Sequence, residues 1–140
     1  MEAEIVSMTA HLLNGDDGNV VGSTTSGGTE SIILAVRAHL KEYGSKRGIR
    51  FPEIICSTTA HAALDKACDM FHIRLIKIPC DPISFQLTVD AVERHVSSNT
   101  ILIYASAPCY PQGVIDPIEV RESQSEHPFI DAVSYYLEMR

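Results

Sequence analysis

The sequence predicts an α/β domain built on a mainly parallel sheet. Three observations carry that expectation. Helical and strand periodicities alternate along the chain, residues 100–105 form an apolar, β-branched run typical of a strand buried on both faces, and a glycine-rich turn leads from an extended run into the longest helix. With 140 residues, 45% hydrophobic and 21% charged, the chain can bury one modest core and is neither collagen-like nor compositionally disordered.

The elements follow in order. Ile5, Met8 and Leu12 recur at helical spacing and end at Asn14-Gly15, predicting an amphipathic helix. Asp16-Asp17-Gly18-Asn19 is a turn cluster, and Val20 to Thr25 reads as extended. Ile33, Val36, Leu40 and Tyr43 then share one face, with Glu30, Arg37, Lys41 and Glu42 largely opposite, predicting a helix that stops near Gly44 to Gly48. Glu53 to Ser57 is a short strand. Leu64, Ala67, Cys68 and Phe71 mark a third helix, and Ile73 to Ile78 a strand stopped by Pro79. Thr88 suits the N-cap of a helix carrying Val89, Val92 and Val96, with Asp90 and Arg94 spaced as an i,i+4 pair. Thr100 to Ala105 is the buried strand. No strand signal follows Ile115; Glu119 to Pro128 is polar and aperiodic, and Phe129 to Met139 predicts one more helix.

Composition excludes several functions. Eighteen acidic residues against eleven Lys and Arg give a net charge of −7, with no Lys/Arg run, which argues against nucleic acid. No apolar run reaches the length of a membrane span, and the N-terminal Met1-Glu2-Ala3-Glu4 lacks the features of a signal peptide, so the chain reads as cytoplasmic. Cysteines at 56, 68, 80 and 109 show no CxxC or Cys/His zinc spacing. They read as reduced, mostly buried thiols, and no metal site is expected.

Three segments carry chemistry. In Thr24-Thr25-Ser26-Gly27-Gly28-Thr29-Glu30-Ser31, two glycines permit close backbone approach to an anion. The free amides of a first helical turn, the helix dipole and the hydroxyls of Ser26 and Thr29 would favour it. The motif is neither Walker A nor GxGxxG, and a capped Gly-rich turn with no ligand is the alternative. Ser57-Thr58-Thr59-Ala60-His61 lies at the carboxyl end of a strand, the edge where open α/β sheets place ligands. There His61 can stack on a flat ligand or carry protons, or simply cap the following helix. Ser106 to Pro117 forms a rigid Pro/Gly loop at the same edge. Its Cys109 has no neighbouring base and reads as a plain thiol. His11, His39, His72, His95 and His127 have no partners at ligand spacing and read as surface or core residues.

Together these segments resemble the sphingosine-1-phosphate lyases, within the group II decarboxylase-like, fold-type I pyridoxal-phosphate (PLP) enzymes. The resemblance rests on Met1-Glu2-Ala3-Glu4, Thr24-Ser26-Gly27-Gly28-Thr29-Glu30-Ser31, Thr59 to Ala67 and Pro111-Gln112-Gly113-Val114-Ile115-Asp116, and covers residues 1–119. It implies part of a PLP-binding large domain over 1–119, an incomplete three-layer sandwich, followed by a divergent tail over 120–140. It also implies a homodimeric lyase that cleaves a phosphorylated long-chain base to a fatty aldehyde and phosphoethanolamine, in a family located at the endoplasmic reticulum membrane. Carried onto matching positions, Gly27, Gly28 and Thr29, with Ser26, would hold the cofactor phosphate. His61 would stack on the pyridine ring and assist proton transfer, and Ser106 would line the cofactor or substrate side.

The sequence also departs from the family. The aspartate that pairs with the pyridine nitrogen and the His-Lys motif of the Schiff-base lysine do not occur, and Gln112 stands where the family commonly has histidine. Lys41, Lys46, Lys66 and Lys77 precede the expected place and inherit no role. The expectation is therefore a chain truncated before the lysine and inactive alone, with weak or absent PLP binding. Two other readings stay open: a non-catalytic module that pairs with a full-length protomer, and a fragment of a PLP-dependent amino-acid carboxy-lyase.

Overall fold

The structure is a computed structural model that describes residues 1–12, 15 and 20–117. Helix α1 (Glu2–Leu12) is followed by α2 (Gly28–His39), a π-helical turn (Leu40–Ser45), β1 (Glu53–Ser57), α3 (Ala62–Phe71), β2 (Arg74–Ile78), α4 (Val89–Glu93) and β3 (Thr100–Tyr104). The turn cluster at 16–19 and the helix expected over 129–139 lie outside the described residues. The chain divides into two compact units, the first ending at Ser31 and the second beginning at Ile32.

In the first unit, α1 buries none of its residues: Ile5, Met8 and Leu12 recur at helical spacing, yet all three are exposed. Its start is tied to the later extended run, because the amide and hydroxyl of Thr24 both donate to Glu2 Oε1 at 3.2 and 2.9 Å.

The second unit is built on a three-stranded parallel sheet in the order β2-β1-β3. All five residues of the central strand β1 are buried. Alternation sends Ile54 and Cys56, with Leu102 and Tyr104 of β3, to one face, and Ile55, Ile78 and Ile103 to the other. Ile32 and Val36 of α2 and Leu64, Ala67 and Cys68 of α3 cover the first face; Leu87 and Val92 cover the second. A parallel sheet needs this cover on both faces, and helix–sheet–helix layering supplies it.

Two details differ from the sequence expectation. The longest helix does not run on as α-helix through Tyr43 but widens into the π turn after His39. A Cβ on Gly44 would stand 3.0 Å from Leu40 Cδ1, so the bare backbone makes room for the Leu40 side chain within this turn. Helix α4 ends at Glu93, before Val96. Arg94 is its C-cap, with its amide bonded to Asp90 O; among the described residues Asp90 and Arg94 form no ion pair, and Thr88 sits at the N-cap without a side-chain capping bond. His72, exposed, is the C-cap of α3, held in the left-handed conformation (φ 55°) with its amide donating to the carbonyls of Asp69 and Cys68.

A buried carboxylate gathers the amino ends of the strands. Glu53 Oε1 accepts from Arg74 Nη1 at 2.9 Å and Glu53 Oε2 from Ser97 Oγ at 2.6 Å, while the Glu53 amide donates to Asn99 O at 2.9 Å. Removing that carboxylate strands the part-buried Ser97 hydroxyl and frees a cation, whereas the Arg74 side chain is mostly in solvent. Glu53→Ala is expected to lower the unfolding free energy by about 2–4 kcal/mol. Arg74→Ala should lower it by less than about 1 kcal/mol, both read by urea denaturation.

Candidate functional site

The glycine-rich turn belongs to the first unit. The Ser31 amide donates to Gly27 O at 3.1 Å, which makes Gly27 the N-cap of α2. The amides of Gly28, Thr29 and Glu30 therefore open the helix, and among the described residues they meet no acceptor. Gly27 has φ 158°, and a Cβ placed on it would meet nothing within 4 Å, so the backbone here is open to close approach. Positive helix-end charge, unpaired amides and a bare backbone are what a phosphate dianion requires.

Ser26 is differently engaged. Its amide and its hydroxyl both donate to Glu30 Oε2, each at 2.6 Å, so the hydroxyl expected to face an anion is turned to the helix's own carboxylate. The Ser26 hydroxyl and then its amide lower the Glu30 carboxyl from its ordinary value. This link is present above the ordinary carboxylate range and is lost as pH falls through the lowered value. Thr25 Oγ1 adds bonds to Ser31 Oγ at 2.7 Å and Gly27 O at 3.1 Å, leaving Thr29 Oγ1 as the hydroxyl of the turn without a partner among the described residues.

His61 and Ser106 belong to the second unit, where they follow the adjacent strands β1 and β3 at the carboxyl edge of the sheet. His61 is the N-cap of α3, and its Nδ1 accepts from the Ala63 amide at 3.1 Å. With Nδ1 spent as acceptor, the neutral ring carries its proton on Nε2. Beside it, Ser57 Oγ bonds Thr59 Oγ1 at 2.9 Å, and Thr59 Oγ1 lies 3.5 Å from Cys80 Sγ.

Ser106 is buried and its backbone is clamped by a residue the sequence did not single out. The buried Asp116 accepts the Ser106 amide on Oδ2 and the Leu87 amide on Oδ1, both at 2.8 Å, and its own amide donates to Ser106 O at 3.0 Å. Gln86 Nε2 donates to Ile115 O at 2.8 Å, so the loop is tied twice to the segment before α4. The only sequence signal was an aspartate at the end of a Pro/Gly loop. Cys109 is buried and its thiol donates to Gln112 Oε1 at 3.4 Å, with no base in contact among the described residues. Burial pushes the thiols of Cys56 and Cys68 up to about 12 and about 11.

No family model matches the chain. It is 46% identical over 122 residues to the Arabidopsis thaliana sphingosine-1-phosphate lyase, an alignment covering 84% of the chain and 22% of that protein. The solved sphingosine-1-phosphate lyase of Burkholderia pseudomallei superposes with a TM-score of 0.77 at 40% identity, covering 84% of this chain and 28% of that one. The chain is a relative of the sphingosine-1-phosphate lyases. It spans about a fifth of the length of the relative from Arabidopsis. Oryza sativa TDC solved with PLP shares the fold at a TM-score of 0.59 and 14% identity. This lyase relative thus has the α/β fold of PLP enzymes, with a small parallel sheet.

Two outcomes follow from the sheet edge. Asp116→Ala strands two buried amides and should lower stability by about 2–4 kcal/mol in urea denaturation, Asp116→Asn by less. In the native chain a thiol-selective reagent should label the half-exposed Cys80 at least about tenfold faster than Cys56, Cys68 or Cys109, read by peptide mass spectrometry.

Proposed function

We propose that this chain contributes the phosphate grip and part of the large domain of a PLP-dependent carbon–carbon lyase of sphingolipid breakdown. Its substrate would be a phosphorylated long-chain base, cleaved to a fatty aldehyde and phosphoethanolamine. The observation that carries the reading is the unpaired Gly28 and Thr29 amides at a bare helix start, in a chain 46% identical to such a lyase over 122 residues.

When bound, PLP supplies the electron sink for breaking the carbon–carbon bond. The chain's own residues do the holding. The Gly28 and Thr29 amides and the Thr29 hydroxyl would take the phosphate, and the dipole of α2 would add to their attraction. Glu30 keeps Ser26 turned to the helix and so fixes the backbone of the turn. His61 would lay its ring on the pyridine, its orientation set by the cap bond to Ala63. Ser106 would line the cofactor or substrate side, its backbone held by Asp116.

None of Lys41, Lys46, Lys66 and Lys77 follows a histidine, so the lysine that attaches the cofactor in the family is not supplied by a His-Lys motif here. The complete enzyme would be a homodimer at the endoplasmic reticulum membrane.

Equilibrium dialysis of the whole chain against PLP tests the grip. Wild type should bind, Gly28→Val should bind at least about tenfold more weakly because its side chain blocks backbone approach, and Cys109→Ser should bind as wild type does. Equal binding by wild type and Gly28→Val would remove the turn from the site.

A further inference from the structure

The segment from Arg37 to Phe51 has a charge balance opposite to that of the chain. It holds Arg37, Lys41, Lys46, Arg47 and Arg50 against the single acid Glu42, in a protein whose net charge is −7. Part of this has a local cause. Arg37 and His39 lie in the last turn of α2, where cations offset the helix dipole, and Lys46 pairs with Glu42 at 2.5 Å.

Arg47, Arg50 and Phe51 have no such explanation. They lie beyond the π turn, and neither arginine has an ion-pair partner among the described residues. Each guanidinium sits over a ring instead, Arg47 at 5.2 Å from the Tyr43 centroid and Arg50 at 5.5 Å from that of Phe51. Phe51 is 68% exposed. The inward positions of the same segment are taken by Leu40, Gly44 and Ile49, which leaves Lys41, Lys46, Arg47 and Arg50 facing solvent.

We propose that residues 41–51 form a contact surface for an anionic lipid bilayer. Weakly hydrated guanidiniums beside an exposed ring fit the boundary between charged headgroups and acyl chains, where cations meet phosphates and an aromatic ring enters the apolar layer. The acidic remainder of the chain does not cancel this attraction, because salt screens charges beyond about 8 Å at physiological ionic strength. A nucleic acid fits less well: it needs a longer basic stripe, and an exposed phenylalanine beside one short cluster gives no base-stacking platform. The inference is independent of the lyase reading.

The test is co-sedimentation of the whole chain with large unilamellar vesicles of phosphatidylcholine, with and without phosphatidylserine. The chain should sediment with the phosphatidylserine vesicles only, and less as salt rises. Arg47→Glu combined with Arg50→Glu should lower the partition coefficient at least about tenfold, and Phe51→Ser about threefold. A charge-matched control, Lys66→Glu with Arg94→Glu, changes two exposed cations outside the segment and should lower it far less. Circular dichroism checks that all variants keep the wild-type fold. Equal sedimentation with neutral vesicles, or equal loss in the control pair, overturns the proposal. So does tighter binding to a short DNA duplex that Phe51→Ser leaves unchanged.

Discussion

The register of β1, the central strand, is the constraint on which the sheet-bearing unit depends. All of its residues are buried, so a one-residue slip would exchange Ile54 and Cys56 with Ile55 between two different packing layers. Apolar burial alone leaves such a slip conceivable, because isoleucines occupy both faces. Directional bonds remove the ambiguity. Glu53 ties β1 to Arg74 at the head of β2 and to Ser97 just before β3, and can do so in one register only. At the opposite edge Asp116 spends both carboxylate oxygens on the amides of Leu87 and Ser106. Two buried carboxylates, one at each edge, thereby set where His61 and Ser106 emerge.

The glycine-rich turn solves a different problem. A helix start able to hold an anion must keep its first amides unpaired without letting the turn collapse onto them. Here the turn is braced from the side: Glu30 accepts from the Ser26 amide and hydroxyl, and Thr25 Oγ1 bonds Ser31 Oγ and donates to Gly27 O. The amides of Gly28 and Thr29 are left out of this bracing. The carboxylate of Glu30 opposes an incoming phosphate by charge, and its bonds to Ser26 offset part of that opposition. The grip is therefore built mainly from backbone, which is why the bare chain at Gly27 and Gly28 matters more than the hydroxyl of Ser26.

Much of this was legible in the sequence. Among the described residues, periodicity located β1, β2, β3 and helices α1, α2 and α3 to within a few residues, and in the second unit each buried stripe, such as Leu64, Ala67 and Cys68, has a matching layer to pack on. It failed where the deciding contact was remote or local geometry intervened. The stripe Ile5, Met8 and Leu12 forms a helix but buries nothing, and the π turn over Leu40–Ser45 has no signal in the apolar spacing. The candidate turn was visible as a motif. The direction of its hydroxyls was not, since Glu30 can fold back on Ser26 only once the helix exists. Asp116 was visible as the end of the 111–116 motif, but its clamping role was not, because its partners, Leu87 and Ser106, lie 29 and 10 residues away.

The most direct test of the account is a nitrogen-15 amide spectrum of the whole chain, titrated with PLP. Saturable shifts concentrated at the amides of Gly27 to Glu30, with the sheet amides unmoved, are the expected result. Shifts confined to the surroundings of Lys41, Lys46, Lys66 and Lys77, with Gly28 and Thr29 unmoved in a folded chain, would contradict it.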